Sequence, residues 1–478
     1  MKMSSEGVRT AIGHPVIDFD GHVIEFLPAV WPFLRESLGA DRFERYRNAP
    51  IDQTIRGPRS FDARQRTRAP QAAWWASPAK NTRDLATAAL PSLLYDRLDE
   101  FGIDYALLYP TKGLGSACSE DADMRRGLCR GFNEFYAHNY GPYRDRLSVG
   151  GIIPMHTPEE AIAEIEHCAE IGLKIVGVPE GVWRPIIAPD PDASPWFTPG
   201  QTHWFDNFGL DSLYDYDPVW TKLVELEFPL VAHAGLGHNA PNHYLSITNY
   251  SANHIGSFRD KMYQLCKSLY MNGVTRRFPT LNLAFLECGV SWACTLLADI
   301  VEHWEKRNLD ALRILDPSGV DYELLEREFR GRGQSLLAGV DDVPAALRML
   351  STPGVPPEHH DDWRFLEVRN PEELVELFAP RMYFGCEADD RTVAFAFSPA
   401  NVCGARLRPV FSSDIAHWDV PDMARVVAES FALVQEGVIS PDHYREFMFT
   451  NPVSALHGAN PRFFESTVLE SDVVALTA

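Results

Sequence analysis

Acidic and imidazole side chains stand at the ends of several short apolar runs in this chain. The run "VIDFDGHVIEF" (16–26) carries Asp18, Asp20 and His22 at two-residue spacing. His233 lies in "LVAHAG" and Glu287 in "AFLECG"; Asp414 lies in "FSSDIAHWD", with His417 and Asp419 close behind. Carboxylate oxygens and imidazole nitrogens are the donors that hold zinc, manganese or iron. Residues two apart on a strand point the same way, so the even-numbered groups of the first run are expected on one face. Asp20 and His22 would then reach the same ion.

Each residue alone has a plainer reading. Asp20 and His22 suit a strand-end hydrogen-bond pair, His233 a satisfied buried histidine, and Glu287 a structural ion pair. Asp414 suits a helix N-cap. His254, in "NYSANHIGSF", reads as a further ligand, a proton shuttle or a helix-end surface group. His417 serves catalysis or ligation, or bonds to Asp419. "CEADD" (386–390) reads as a loop cap, Arg276 and Arg277 as partners of acidic neighbours, and Trp74, Trp75 and Trp292 as packing groups. Taken jointly, these chance placements at strand ends are a poorer account than a shared cation. Three carboxylates, Asp20, Glu287 and Asp414, would repel one another in a partly buried site. They must keep protons or be compensated by positive charge. A divalent ion held with the histidines supplies that charge. The candidate ligands are therefore Asp20, His22, His233, His254, Glu287 and Asp414. The candidate proton carriers are Asp414, Glu287, His254 and His417.

Groups so far apart in the chain need a frame that gathers strand ends. Eight apolar runs supply one: "PVIDFDGH", "IDYALLYP", "LSVGGIIPMH", "LKIVGVPE", "FPLVAHAG", "TLNLAFLECG", "RMYFGCEADD" and "RPVFSSDIAHWD". Helical spacing recurs between them, as in "PEEAIAEIEHCAEIG" (158–172), "DPVWTKLVELEF" (217–228) and "VPDMARVVAESFALVQEG" (420–437). Eight βα units predict an α/β fold, a distorted (β/α)8 TIM-like barrel whose strands deliver their C-terminal ends to one face. An open doubly wound sheet uses the same alternation, but the count and the strand-end chemistry favour the barrel. One domain over 1–478 is expected, with long insertions after strands 1, 4 and 6, at about 27–100, 181–216 and 303–380. "ANPRFFESTVLESDVVALTA" reads as a tail that closes the barrel.

Composition narrows the partners. The chain has 478 residues, 45% hydrophobic and 23% charged, with a net charge of −22. That acidity disfavours nucleic acid. No apolar run reaches the ~18 residues that cross a bilayer. Eight cysteines without a C-x-x-C pair, and no secretory signal ahead of Val16, fit reduced thiols and a cytoplasmic location. There is no repeat at solenoid spacing and no low-complexity tract. A small-molecule substrate is expected, together with a homo-oligomer or a hetero-oligomer with a related chain; the 303–380 helices suit such a contact.

The Asp-x-Asp-x-His run, "LVAHAG", "NHIGSF", "RRFPTLNLAFLECGVSWA", "YFGCEADD" and "FSSDIAHWDV" together resemble the amidohydrolase-related family. That is the branch of the amidohydrolase superfamily that includes aminocarboxymuconate-semialdehyde decarboxylase and resorcylate decarboxylases. The resemblance runs from about residue 14 to about residue 465. It implies a distorted barrel with a divalent metal at its C-terminal rim. The family's His-x-His or Glu-x-His motif on the first strand falls on Asp20 and His22, its fifth-strand ligand on His233, and its eighth-strand aspartate on Asp414. Where the decarboxylase branch carries a histidine in a His-Gly-Gly turn, this chain has Glu287 in "ECG".

The leading expectation is a metal-dependent hydrolase or non-oxidative carboxy-lyase acting on a small organic, carboxylate-bearing substrate, with zinc, manganese or iron. Surplus ligands raise the alternative of two ions and a dinuclear non-haem iron or Fe/Mn oxygenase, which the resemblance allows. A non-catalytic subunit of a hetero-oligomer is the third class.

Overall fold

Each of the eight apolar runs forms a strand, and the eight lie side by side in chain order. The computed structural model describes residues 3–48, 60–67, 71, 80–186, 203–233, 246–351, 361–417 and 419–478. The strands are β1 (Ile17–Val23), β2 (Tyr105–Pro110), β3 (Leu147–Val149, resuming past Gly150 as Gly151–Ile152) and β4 (Val176–Val178). They continue as β5 (Leu230–Ala232), β6 (Leu283–Phe285), β7 (Met382–Cys386) and β8 (Arg408–Phe411). Every neighbouring pair from β1 to β8 is parallel. The ring closes between β8 and β1, where Asp414 N donates to Asp20 O at 2.8 Å and His22 N donates to Ile415 O at 2.9 Å. Closure leaves no exposed strand edge and sends all eight C-terminal ends to one rim.

Period-two alternation sorts the side chains. On β2, Tyr105, Leu107 and Tyr109 join the cluster that fills the lumen, while Ala106 and Leu108 pack under the surrounding helices. Ile17, Phe19, Ile175, Val231, Ala284, Tyr383 and Val410 belong to the same lumen cluster. Its lower end is sealed by the C-terminal segment: the rings of Phe463 and Phe464 sit 6.2 and 5.8 Å from that of Tyr105, both edge-on. The tail closes the barrel from the end opposite the site.

Strand β1 departs from simple alternation. Its register against β2 shifts between Asp18, which pairs with Ala106, and Gly21, which pairs with Leu108. Two β1 residues thus face one β2 residue, a bulge that resets which face follows. Ile17 and Phe19 point into the lumen before it, and Asp20 and His22 join the rim after it. The expectation that Asp18 shares a face with Asp20 and His22 is therefore corrected. Asp18 is fully buried between β1 and β8, and its carboxylate accepts from Ser413 N at 2.9 Å and from Ser413 Oγ. It clasps the closure rather than entering the site.

The connecting helices follow their apolar spacing. Pro158–Glu170 starts where the Thr157 side chain accepts from Glu160 N, and it buries Ala161, Ile165 and Cys168 against the barrel. Asp217–Glu225 is likewise helical. The 420–437 pattern is interrupted, with short helices Val426–Ser430 and Ala432–Gln435 in place of one.

The insertion after β1 contributes helices such as Leu27–Leu38 and Pro91–Phe101. That after β4 holds an antiparallel hairpin, Val182–Pro185 with His203–Asp206. That after β6 includes Tyr322–Arg332, a helix with no buried residue. Trp74, Trp75 and much of the Pro-rich stretches at 187–202 and 352–360 lie outside the described residues. Trp292 packs edge-on against Phe285 and Phe384, and Arg276 and Arg277 pair with Glu367 and Asp217. All eight cysteines are free thiols. Among the described residues no helix is long and apolar enough to cross a membrane.

Candidate metal centre

The rim of the barrel gathers six of the seven strand-end candidates into two overlapping groups. Asp20, His22 and His233 form one, and His22, Glu287, Asp414 and His417 the other; within each group the ligand atoms lie within 4.8 Å of one another. β1 supplies Asp20 and His22, and the ends of β5, β6 and β8 supply His233, Glu287 and Asp414. Glu287 and Asp414, each just past its strand, adopt positive φ of 54° and 52°. Non-glycine residues in that region cost about 1–3 kcal/mol and concentrate at functional sites. The Asp414 N-cap reading does not hold, because its backbone is left-handed rather than extended.

The two imidazoles of the first group face each other nitrogen to nitrogen, with His233 Nε2 3.2 Å from His22 Nε2. His22 Nε2 is also 3.2 Å from Asp414 Oδ1 and 3.6 Å from Asp20 Oδ1. His233 Nε2 is 3.4 Å from Glu287 Oε2. His417 Nδ1 lies 2.7 Å from Asp414 Oδ1 and 3.5 Å from Glu287 Oε1. Its other nitrogen meets Thr111 Oγ1 at 3.2 Å, and its ring stacks on His22 with centroids 3.5 Å apart. His254 joins neither group; its ring stacks on Tyr250 and meets Phe258. It remains close enough for Glu287 and Asp419 to act on its charge.

Burial and crowding set the charges. Burial, reinforced by Glu287, pushes Asp20 well above the ordinary carboxylate range. Burial, Glu287 and Asp419 do the same to Asp414. Burial also acts upward on Glu287, but His233 and His417 outweigh it, and Glu287 is the carboxylate held low. His22 is pushed well down by burial and by its two imidazole neighbours. It is therefore neutral, the form that binds metal.

Whether a cation suits these residues is decided by their unmet hydrogen-bonding capacity. The buried Asp20, Glu287 and Asp414 oxygens are under-supplied with donors: the groups closest to them are ring nitrogens, as at Asp414 Oδ1, and other carboxylates, as Glu287 and Asp419 are to Asp20 and Asp414. Buried acceptors without donors are strongly unfavourable. These carboxylate oxygens lie in two adjoining groups that share His22, which is the chemistry of a cation site. The residues fit a divalent metal.

Other residues at the site carried no strand-end signature. Tyr109 lies on β2 with its ring 5.7 Å from that of His233, and its buried hydroxyl has no partner. Thr111 follows the same strand. Glu387, at the start of the loop after β7, is exposed and close enough to Asp20 to act on its charge. Surrounding protein atoms and the neighbouring carboxylates of Asp419 and Glu287 push its carboxyl upward. The rest of "CEADD" is a loop cap as expected: Asp390 caps the turn Arg391–Phe397, accepting from Thr392 N. The signal for Tyr109 was its parity with Tyr105 and Leu107.

The chain was compared with known proteins. An amidohydrolase from Mycobacterium avium subsp. paratuberculosis superposes with a TM-score of 0.52 at 15% identity, over 93% of this chain and 99% of its own. A 2,6-dihydroxybenzoate decarboxylase from Rhizobium gives 0.47 at 13% identity, over 93% and 98%. A 5-carboxyvanillate decarboxylase from Novosphingobium aromaticivorans, complexed with manganese, gives 0.47 at 14% identity, over 93% and 96%. The first likeness concerns the fold alone, and the two decarboxylases add nothing further to it. No curated protein matches the chain. The amidohydrolase family model matches residues 17–313, more than half of the sequence, from the first residue of β1 through β6 and the helix beyond it. The chain belongs to the amidohydrolase family.

Proposed function

We propose that this chain is a metal-dependent hydrolase of small organic molecules. The observation that carries the reading is the crowding of the buried Asp20, Glu287 and Asp414 carboxylates around two imidazole nitrogens 3.2 Å apart, with no lysine or arginine paired to them among the described residues. Asp20, His22, His233 and Asp414 would hold the cation, with Glu287 at its edge. A divalent ion there supplies Lewis acidity and, for zinc, brings the pKa of water toward ~7. Glu287, kept ionised beside His233 and His417, is the base that receives the proton of the attacking water. His417, between Glu287, Asp414 and Thr111, carries that proton onward.

Hydrolysis is favoured over decarboxylation by the field at the mouth. Among the described residues, the charged groups that act most strongly on Asp20, Asp414, Glu287 and Glu387 are carboxylates and imidazoles, with no lysine or arginine among them. A neutral ester, amide or lactone meets no repulsion from these carboxylates, whereas a carboxylate anion depends on the bound cation to offset it. Carboxy-lyase activity is the second reading, favoured by one feature: the carboxylates around Glu387 push it toward the protonated form that an acid delivering a proton to carbon needs. Elemental analysis of the purified protein, with a panel of neutral esters, amides and aromatic carboxylates, tests the assignment. Metal at one or two ions per chain and turnover of a neutral substrate support it. Metal-free protein, or carbon dioxide release alone, would sink the hydrolase reading. Oxygen uptake with bound iron would favour the dinuclear oxygenase.

A further inference from the structure

Glu25 lies two residues past the end of β1 and is 2% exposed. Its carboxylate is engaged through both oxygens. Oε2 accepts from Lys112 N at 2.8 Å, and Oε1 accepts from Gly113 N at 3.0 Å and from the Tyr136 hydroxyl at 2.5 Å. The lysine returns the contact, with Lys112 Nζ donating to Glu25 O at 2.9 Å. The β1–β2 ladder runs as far as Val23 and Pro110. These bonds carry the pairing of the two chains past the strand ends, with side chains in place of a ladder. A glycine suits position 113, because a Cβ there would collide with the Tyr136 hydroxyl and sit 2.8 Å from Ile152 Cδ1. A buried carboxylate that accepts from two consecutive peptide N–H groups and a phenol holds its loop firmly.

The loop so held begins with Thr111, itself buried. Its hydroxyl meets His417 Nε2 at 3.2 Å. The other nitrogen of that ring, Nδ1, faces Asp414 Oδ1 and Glu287 Oε1, and the ring stacks on His22. A carboxylate only accepts, whereas a hydroxyl donates or accepts. Thr111 can therefore bond Nε2 whether or not that nitrogen carries hydrogen. The ring keeps one orientation while a proton enters at Nδ1 and leaves from Nε2. We propose that Glu25 is a positioning residue for His417: by clamping Lys112 and Gly113 it fixes the Thr111 hydroxyl against Nε2, which keeps Nδ1 turned to the two carboxylates. This inference rests on the reading of His417 as the proton carrier. It adds that the ends of β1 and β2, tied together through Glu25, set the orientation of a ring that belongs to the β8 loop.

The test is ring-nitrogen NMR of full-length protein carrying isotope-labelled histidine, both metal-stripped and zinc-loaded, with His417 assigned by its loss in His417→Gln. Thr111→Val removes the hydroxyl and should shift the Nε2 signal; Thr111→Ser should restore it. Glu25→Gln replaces an accepting oxygen with a donor, so a peptide bond to the loop is lost. It should shift the same signal in the same direction. Added to Thr111→Val it should shift the signal no further, because two changes along one path are not additive. Should Glu25→Gln fail to fold, Tyr136→Phe, which takes one donor from the same carboxylate, replaces it. A His417 signal that neither Glu25→Gln nor Tyr136→Phe moves would overturn the inference. So would an undiminished shift from Glu25→Gln in the Thr111→Val background, the mark of a general loosening rather than a path through Thr111. Zinc uptake and turnover bear on the metal and proton-carrier reading instead; their failure is told apart because the ring signals are also read in stripped protein.

Discussion

The two ends of the barrel lumen obey opposite rules. At the lower end, Ile17, Tyr105, Phe463 and Phe464 interlock, and the hydroxyls there are bonded: Tyr105 meets Ser148 at 2.6 Å and Tyr383 meets Ser454 at 3.0 Å. At the upper end, Asp20, His22, Asp414 and Tyr109 are buried and Glu287 half-buried, yet carboxylates and imidazoles crowd one another there and leave hydrogen-bonding capacity unmet, as at the Tyr109 hydroxyl. Burial is therefore not what separates structure from function here; the satisfaction of buried polar groups is. An end that closes all its hydrogen bonds stabilises the fold. An end that leaves them open gives up stability for a ligand that can complete them.

The sharpest way to break the comparison is to remove one of the open groups. Asp414→Asn should lower metal affinity by more than the roughly 100-fold typical of an outer partner, with turnover lost. In the metal-free protein the same change should raise the unfolding temperature, since one of three crowded carboxylates is gone. Elemental analysis and calorimetry on stripped and loaded protein read both effects. A variant that lost stability in both forms would show that the upper end is built like the lower one.

The converse experiment is at the lower end. Phe463 is fully buried, and Phe463→Ala is expected to cost about 3–5 kcal/mol in denaturant unfolding. Metal stoichiometry should be unchanged. Metal lost in proportion to stability would mean that the two ends do not act independently.

Ser413→Ala probes the seam between them. It removes the hydroxyl that donates to Asp18 but leaves the backbone donor, so about 1 kcal/mol is expected. A larger loss accompanied by weaker metal binding would place the clasp in the upper regime.

The smallest effect is a pH dependence in the helix that leads into the lower end of β2. The hydrogen bond from Arg97 holds Glu100 below its ordinary value of 4.5. A carboxylate depressed in the folded state stabilises the protein above its unfolded pKa, and that contribution fades as pH falls through the folded value. Glu100→Gln should therefore lower the unfolding temperature slightly at pH 7, and the difference from wild type should vanish in acid. A difference that persisted below pH 3 would point to packing rather than charge.

Much of this was legible from local pattern. The strands could be read because lumen and helix faces alternate along each run, as Tyr105 to Leu108 show. The ligand candidates could be read because a parallel barrel sends every strand end to one rim. What could not be read depends on how separate strands fit together. His254 follows β5 at a plausible spacing, yet it turns to Tyr250 and Phe258. Glu387 sits inside a stretch taken as a loop cap, and what pushes its carboxyl up is the protein packed around it together with Asp419 and Glu287, distant in sequence.

The amino-acid sequence by itself determined the eight-unit alternation, the residue types at the strand ends and the acidity that requires a compensating charge, because each is a property of short segments. The tertiary structure alone decided which carboxylate of "IDFDGH" enters the site. A one-residue bulge against β2 turns Asp18 to the β8 seam and Asp20 to the rim, and a register shift exists only between two strands. It alone also placed Tyr109 beneath the site, since its niche is made of glycine backbone, Gly150 and Gly177, from the third and fourth strands.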